Sequence, residues 1–432
     1  MAEPAQGIAT AGMFDRRRLA PVQEWLAVAL AISLPWSTSA TGILVVLWLL
    51  ALIPTLTVAD VRREVATPAG GLPVLLWACG VAGMLWADVS WAERLNGLNS
   101  FHKLLIIPLL FVQFRRGANG RWVLFGFIAS CTVLMVLSWE SMLLAAMPWQ
   151  SKAWGILVKD PISQGAMFAV CIFALADLAL SAWRAAQRRH AVAMVALALA
   201  FLANILAIAT SRTTLVAIPL LLVLFGLKRV GWKGTAVLLA GLLVVAAAAW
   251  PLSEPLQRRV GSLYGEVLNY RSDGAQTSAG ERLEFWRKSV GFVAEAPLIG
   301  HGTGTIAALF ARASAGQIGV GGVASHNPHN QTLAVAIQLG VAGTAVLWAM
   351  WVCHLLLFRG PGLAAWIGLA VVTQNIIGSL FNSHLFDFTH GWLYVVGMGI
   401  AGGIALREAE AGWRDGSKAG KEGVSAPPTG TP

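Results

Sequence analysis

Long, uninterrupted runs of apolar residues recur along this chain, and they limit its fold more than any other feature. The runs are about 17–22 residues long, the length of a helix that crosses the hydrocarbon core of a bilayer. Strands of a membrane barrel would instead show shorter segments of alternating polarity. Only 12% of the residues are charged, against about 25% in a typical soluble domain. The sequence therefore predicts an all-α, polytopic membrane protein.

We predict about twelve transmembrane helices from these runs. Their approximate positions are residues 22–37, 40–58, 71–87, 98–114, 121–147, 161–183, 191–210, 212–228, 233–251, 331–358, 362–382 and 389–406. The predicted organisation is a basic N-terminus at 1–21, helices one to nine at 22–251, a large loop with amphipathic helices at 252–330, helices ten to twelve at 331–406 and a disordered tail at 407–432.

The positions of the positive residues predict which side of the membrane each segment occupies. Most of the 31 lysines and arginines fall in segments that share one side with the N-terminus, among them Arg16–Arg18, Arg115-Arg116 and Lys228-Arg229. Short cytoplasmic connections are enriched in such residues. We therefore expect both termini in the cytoplasm and the long loop outside it. Because the charges are spread between apolar runs, the net charge of +10 does not indicate nucleic-acid binding.

The long loop contains signals for two short helices. Ser278–Glu281 has the pattern of a capping box, which predicts a helix that ends before Pro297. Thr305–Ala315 is expected to form a second helix, after a flexible glycine-rich turn at 300–304. The predicted buried face of the first helix consists of Leu283, Trp286, Val290 and Val293.

A polar stretch, Ser325–Gln331, ends the loop where the tenth apolar run begins. His329 lies there beside a predicted helix N-terminus, whose positive dipole favours the neutral imidazole. An imidazole with an ordinary pKa of about 6.5 suits the removal of a proton from a hydroxyl near neutral pH. His329 is therefore the candidate catalytic base, and His326 is a candidate supporting residue.

Two arginines are predicted on the same outer face as His329. Arg212 opens the eighth apolar run, and Arg282 lies near the start of the first loop helix. Guanidinium groups bind phosphate oxygens in pairs and stay charged at any working pH. Together they predict a cationic clamp that neutralises a leaving diphosphate without a metal ion. The alternatives are that Arg212 is an interfacial anchor and Arg282 a solvated surface charge.

Lys103, Asn330 and Asp387 complete the candidate substrate-binding residues. Lys103 lies near the outer end of the fourth run, and Asp387 lies between the last two runs. An ionisable residue at a membrane boundary is a functional candidate. The alternatives are structural: Lys103 could extend towards lipid headgroups, and Asp387 could cap the following helix.

No metal site, cofactor or disulfide is predicted. His326 and His329 have a His-x-x-His spacing, but no cysteine or acidic partner lies near them in the sequence. The cysteines lie inside apolar runs and lack the spacing of metal ligands, namely Cys79, Cys131, Cys171 and Cys353.

Three motifs resemble the O-antigen ligase family. The family signature is a histidine, then Asn, Ser or Gln, nine residues, glycine, two residues, and Gly, Thr or Tyr. Here it reads His329-Asn330, nine residues, then Gly340-Val341-Ala342-Gly343. The other matching stretches are Thr210-Ser211-Arg212 at the start of a span, and Gly280–Trp286 followed by Pro297–Gly302.

The resemblance implies a glycosyltransferase of the Gram-negative inner membrane with a periplasmic active site. Such an enzyme moves a glycan from undecaprenyl diphosphate to a sugar hydroxyl of the lipid A–core oligosaccharide. The resemblance further implies that His329 activates the acceptor hydroxyl and that Arg212 and Arg282 bind the diphosphate. Asp387 is similar to a functional acidic residue near the family's last spans, and neither a nucleotide nor a cofactor takes part.

Other functions stay open from the sequence. Within the same superfamily, an O-antigen polymerase or a protein O-oligosaccharyltransferase would share these motifs. Outside it, a transporter or flippase for a lipid-linked glycan would also need many membrane helices, but it would more often show charged or broken helices near the midplane. The polar residues here collect at one face instead, which favours a transferase.

Overall fold

The computed structural model describes residues 16–117, 119–143, 155–258, 260–261 and 278–422. Within these ranges the regular structure is helical, and they contain no β-strand, so the all-α prediction is confirmed. The helices are α1 (Arg16–Ser33), α2 (Thr38–Leu52), α3 (Val58–Val65), α4 (Pro68–Gly83), α5 (Trp91–His102), α6 (Ile106–Arg115), α7 (Gly120–Leu143), α8 (Pro161–Arg184), α9 (Arg188–Ala207), α10 (Arg212–Arg229), α11 (Gly231–Ala249), α12 (Ser278–Glu295), α13 (Ile306–Ser314), α14 (Gln331–Leu357), α15 (Leu363–Ser379) and α16 (Phe388–Glu422).

A helix lies at each predicted membrane segment, but the count of about twelve spans is not confirmed. Among the described residues, eight helices are long and apolar enough to cross a membrane, or nine if α3 and α4, bent by 90°, form one span. Helix α10 falls short because its eighteen residues include Arg212, Lys228 and Arg229. Helix α15 is apolar but has only 17 residues.

Polar contacts fasten the two ends of the helical bundle. At one end, the guanidinium of Arg115 at the end of α6 pairs with Glu64 of α3, at 2.9 Å, and with Glu410 of α16. At the other end, Lys103 lies just before α6 and donates from Nζ to the carbonyl oxygen of Asp387, at 2.7 Å. Helices α6 and α16 therefore run in the same direction, from the Lys103 end to the Arg115 end.

Helix α14 is broken at Gly340, where φ is +61° and ψ is −158°. The chain after α12 fills this break with its backbone. The amides of His301 and Val341 donate to the carbonyl oxygens of Ile337 and Pro297, each at 2.8 Å. The glycine-rich turn at 300–304 was expected to be flexible. Its backbone is instead hydrogen-bonded to α14 next to the break at Gly340.

The buried face of α12 differs from the predicted one. Leu283 is 39% exposed and Val290 is 60% exposed, whereas Phe285 and Phe292 are buried. These two rings form a small core with Phe310 of α13 and with Ile337 of α14. The contacts available on α13 and α14 decide which of the two apolar stripes of α12 is covered.

Two further differences concern the ends of elements. Helix α1 begins at Arg16, within the segment assigned to a polar N-terminus, and α16 continues to Glu422, where a disordered tail from residue 407 was expected. Residues 1–15 and 423–432 lie outside the described part. The capping box predicted at the start of α12 rests on the side chain of Ser278, which also lies outside it.

Candidate functional site

The candidate base lies in a tight turn directly before α14. Asn330 caps this helix, because its Oδ1 accepts from the amide of Leu333 at 3.1 Å. His329 precedes the cap with a φ of +52°, a left-handed conformation that is uncommon for residues other than glycine. Its amide donates to Oδ1 of Asn327 at 2.9 Å, which holds the turn. The helix thus begins at Gln331, where the tenth predicted span also begins.

Hydrogen bonds fix which ring nitrogen of His329 carries the proton. Nδ1 lies 3.1 Å from Oδ1 of Asn382, and this oxygen also accepts from Nδ2 of Asn327, at 3.0 Å, and from the amide of Ser383, at 2.9 Å. The amide oxygen of Asn382 is thus an acceptor, so Nδ1 of His329 is the donor. In the neutral ring the unprotonated nitrogen is then Nε2, the atom that a general base needs.

The surroundings of His329 favour the neutral ring. Burial lowers its pKa below the ordinary value, and the positive charge of Arg282 and the ring of His326 lower it further. The bond to Asn382 opposes this shift. The imidazole also stacks on Phe285, with ring centroids 5.9 Å apart and planes 19° apart. Desolvation is therefore the largest cause of the shift, followed by the charge of Arg282. A contribution of the helix dipole stays a prediction.

The two candidate arginines lie on different elements. Arg282 lies in the first turns of α12, and its charge acts on both His329 and His384. Arg212 is the first residue of α10, which Ser211 caps by accepting from the amide of Thr214 at 3.2 Å. Thr213 and Thr214 line a small void together with His384. The first turn of α10, which Arg212 opens, therefore lies near His384.

A cavity of about 320 Å³ opens beside the His329 turn. Its wall includes His326 and Asp387, two of the predicted substrate-binding residues. Amide side chains from distant segments, Asn96, Asn327 and Asn382, lie in the same wall. A cavity of this volume, with several neutral hydrogen-bonding groups and few charges, has the character of a site for a polar organic ligand.

The remaining candidates mainly hold the structure together. Lys103 is buried, and its Nζ donates to the carbonyl oxygens of Phe386, at 3.2 Å, and Asp387, at 2.7 Å, so it does not reach out towards headgroups. The carboxylate of Asp387 accepts from the amide of His390 at 2.9 Å and caps α16. Nδ2 of Asn330 donates to the carbonyl oxygen of Leu380 at 3.2 Å. A role of these residues in substrate binding stays a prediction.

The sequence reasoning missed a cluster between α15 and α16. The rings of His384 and His390 stack at 3.8 Å and lie within 2° of parallel. Ser163 of α8 lies 3.4 Å from Nε2 of His390 and donates to Asp160 at 2.6 Å. Burial, and then His390, lower the pKa of His384 well below its ordinary value. The run Asn382-Ser383-His384 between two apolar segments is the sequence signal that could have identified this region.

The break in α14 explains the glycines of the sequence motif. A Cβ on Gly340 would lie 2.4 Å from the carbonyl carbon of Leu298, and one on Gly300 would lie 2.4 Å from that of Gln338. Both glycines also have positive φ. Since the side chain of Gln338 accepts from the amide of Gly304 at 2.8 Å, the loop after α12 is locked onto the helix that follows His329. The motif thus fixes the position of α12, and with it Arg282, relative to the base.

Among the described residues, no group of three or more His, Cys, Asp and Glu side chains has the arrangement of a metal site. The positive charge at this end of the bundle comes from side chains such as Arg282.

Comparison with known proteins identifies the region that carries these residues. Residues 197–348 match the family model described as O-Antigen ligase. The matched segment runs from α9 to the second half of α14 and contains Arg212, Arg282, His329 and Gly340. No curated protein sequence matches the chain significantly. The match at residues 197–348 therefore supports an assignment to the O-antigen ligase family.

Proposed function

We propose that this protein is an O-antigen ligase. It transfers a glycan from undecaprenyl diphosphate to a sugar hydroxyl of the lipid A–core oligosaccharide. The observation that carries the proposal is the state of His329, whose Nδ1 donates to Asn382 and whose lowered pKa leaves Nε2 free of a proton near neutral pH. The family match over residues 197–348 supports the same reaction.

In the proposed mechanism, Nε2 of His329 takes the proton of the acceptor hydroxyl as its oxygen attacks the anomeric carbon of the donor. The new bond from carbon to the acceptor oxygen forms while the bond from carbon to the diphosphate oxygen breaks. A single attack of this kind inverts the anomeric configuration. The products are the glycosylated acceptor, undecaprenyl diphosphate and a protonated His329, which returns its proton to water.

Positive side chains stabilise the leaving diphosphate in this mechanism. Arg282 acts on His329 electrostatically, so a diphosphate bound to Arg282 would lie close to the base. Arg212, at the first turn of α10, supplies a second guanidinium and adds the positive end of a helix dipole. Both interactions grow stronger as negative charge develops on the leaving group, which is the condition for catalysis. We propose that transfer needs no added metal ion.

The cavity beside the His329 turn is the proposed place of substrate sugars. His326 and Asp387 would bind hydroxyl groups there, because both side chains lie in its wall. Lys103 and Asn330 would have positioning roles. Lys103 donates to the carbonyl oxygen of Asp387, and Asn330 caps α14, the helix that follows His329.

We further propose that the protein lies in the inner membrane of a Gram-negative bacterium, with both termini in the cytoplasm and His329 on the periplasmic side. The charged pairs of Arg115 lie at the opposite end of the bundle from His329. Positive residues concentrate at cytoplasmic ends of spans, which supports this orientation.

The test is a reconstituted transfer assay with a polyprenyl-diphosphate glycan and lipid A–core, without nucleotide. Wild type is compared with His329→Ala and with a matched histidine control, His190→Ala, at the exposed start of α9. We expect wild type and the control to transfer glycan in the presence of a chelator, and His329→Ala to be inactive.

Other products would contradict the proposal in distinct ways. Longer donor glycans with an untouched acceptor would indicate a polymerase, and glycan on an added protein acceptor would indicate a protein O-oligosaccharyltransferase. Translocation of the donor without any new bond would indicate a transporter. Loss of transfer in chelator, restored by a divalent ion, would refute the metal-free mechanism.

A further inference from the structure

A second cavity, of about 350 Å³, lies far from His329. Helices α1, α7, α8, α15 and α16 surround it, and its walls are mainly aliphatic and aromatic, with Phe127, Ile367, Leu393 and Ile400 among them. Arg407 lies at its mouth, at the end of the apolar part of α16. The rise of an α-helix places Arg407 roughly 25 Å from His390, so the mouth of this cavity is distant from the candidate site. Its inner wall includes Val170, Val371 and Leu393, which also line a small void beside His384 and His390.

The position of the cavity makes hydrocarbon its natural occupant. Three of the helices that line it, α7, α8 and α16, are long and apolar enough to cross a membrane. Water gains no hydrogen bonds from walls of this kind, whereas an acyl chain removes its own apolar surface from solvent there. The volume falls within the range of about 300–1,000 Å³ that is usual for ligand pockets.

The mouth of the cavity carries polar groups of mainly positive charge. Arg121, at the start of α7, and Arg407 lie there with Asn119 and Glu408. The side chain of Arg121 is exposed, and among the described residues no carboxylate forms an ion pair with it. Glu408 offsets one positive charge, so the two arginines leave a net positive mouth.

We propose that this cavity binds one anionic phospholipid. One acyl chain fills the apolar space between α1, α7, α15 and α16, and the phosphate binds the guanidinium groups of Arg121 and Arg407. A guanidinium group suits phosphate because it can donate two parallel hydrogen bonds to phosphate oxygens and is weakly hydrated. Basic pockets between membrane helices are a known form of anionic headgroup site.

The proposal is tested by native mass spectrometry of the full chain. Protein is reconstituted into nanodiscs of phosphatidylcholine with a minor fraction of phosphatidylglycerol and then released from them. We expect wild type to retain one phosphatidylglycerol well above its share in the bilayer. Arg121→Gln/Arg407→Gln is expected to lose this preference by about tenfold, a drop of about 1.4 kcal/mol in binding free energy. Arg188→Gln, at the start of α9, is the matched arginine control and is expected to behave like wild type.

A second variant tests the apolar part of the site. Ala364→Trp places a large ring in the wall of the cavity and is expected to abolish retention of the lipid, including phosphatidylcholine. Its thermal unfolding and size-exclusion profile report whether it folds, and the arginine variant tests the proposal independently. Equal retention of both lipids by wild type, or undiminished phosphatidylglycerol on the double arginine variant, would refute the proposal.

Discussion

Nδ1 of His329 donates to Oδ1 of Asn382 across 3.1 Å, although the two residues are separated by 53 positions in the sequence. Asn382 holds its oxygen in place through two further donors, Asn327 and Ser383. The base is therefore oriented by the segment between α15 and α16, and not by its own helix. This relationship and the charge of Arg282 determine the chemistry that His329 can perform.

Replacing Asn382 by leucine removes the acceptor for Nδ1. We expect kcat for glycan transfer to fall by about a hundredfold, the scale of a general base that is no longer held in its reactive tautomer. Asn382→Asp keeps an acceptor but adds a negative charge, which raises the pKa of His329 and moves the acidic limb of the rate profile to higher pH. Asn99→Leu, at an exposed position of α5, is the control. An Asn382→Leu enzyme with wild-type kcat would contradict the orienting role.

The pH dependence of transfer reports on Arg282. Only neutral His329 can accept a proton, so kcat/KM falls as the pH drops below the pKa of His329, which burial and Arg282 hold below the ordinary value of 6.5. Arg282→Gln removes a positive charge, so the pKa rises and the acidic limb is expected at higher pH. Arg287→Gln, on the same helix, is the control. If the acidic limb of Arg282→Gln coincided with that of wild type, Arg282 would lie too far from His329 to change its pKa.

The break in α14 predicts a stability effect at Gly340. An alanine there would have the backbone conformation that only glycine adopts freely, and its Cβ would meet the carbonyl carbon of Leu298 at 2.4 Å. We expect a loss of about 1–3 kcal/mol in the free energy of unfolding, seen as a lower Tm. Gly241→Ala in α11 is the control, because no atom lies within 4 Å of the place that its Cβ would occupy, and it is expected to be neutral or stabilising. A Gly340→Ala protein as stable as wild type would contradict the close packing.

The ion pair between Glu64 and Arg115 predicts a second stability effect, away from the candidate site. Glu64 is fully buried, and its Oε2 lies 2.9 Å from Arg115. Glu64→Gln leaves a buried guanidinium with one carboxylate fewer, so we expect a loss of about 1–3 kcal/mol and a lower Tm. Glycan transfer at the working temperature is expected to persist. Glu254→Gln, whose pair with Arg258 is exposed to solvent, is the control and should change little.

The sequence predicted the helical class and the approximate positions of the helices. The length of the apolar runs is a local property, and a bilayer-length helix satisfies its own backbone hydrogen bonds within one run. The family resemblance, read from the motif around His329 and Gly340, is confirmed by the family match at residues 197–348. Composition alone did not determine the number of spans. Some helices have charged ends, and others, such as α15, are apolar but short.

Several properties of the candidate site depend on contacts between distant segments. Leu283 and Val290 were wrongly placed on the buried face of α12. Packing on Phe310 and Ile337 selects Phe285 and Phe292 instead, with Val293 beside them. Lys103 had lipid headgroups as its structural alternative, yet the carbonyl oxygen of Asp387 accepts a hydrogen bond from its Nζ. Neither outcome leaves a signal in the local sequence.

The sequence by itself determined that this chain forms membrane-length helices and that a histidine follows its longest polar segment. Hydrophobic burial is the physical reason, since it depends on composition over a run of neighbouring residues. Only the tertiary structure decided the protonation of His329, the break at Gly340 and the apolar cavity between α7 and α16. Each of these depends on hydrogen bonds or close packing between segments that the fold brings together.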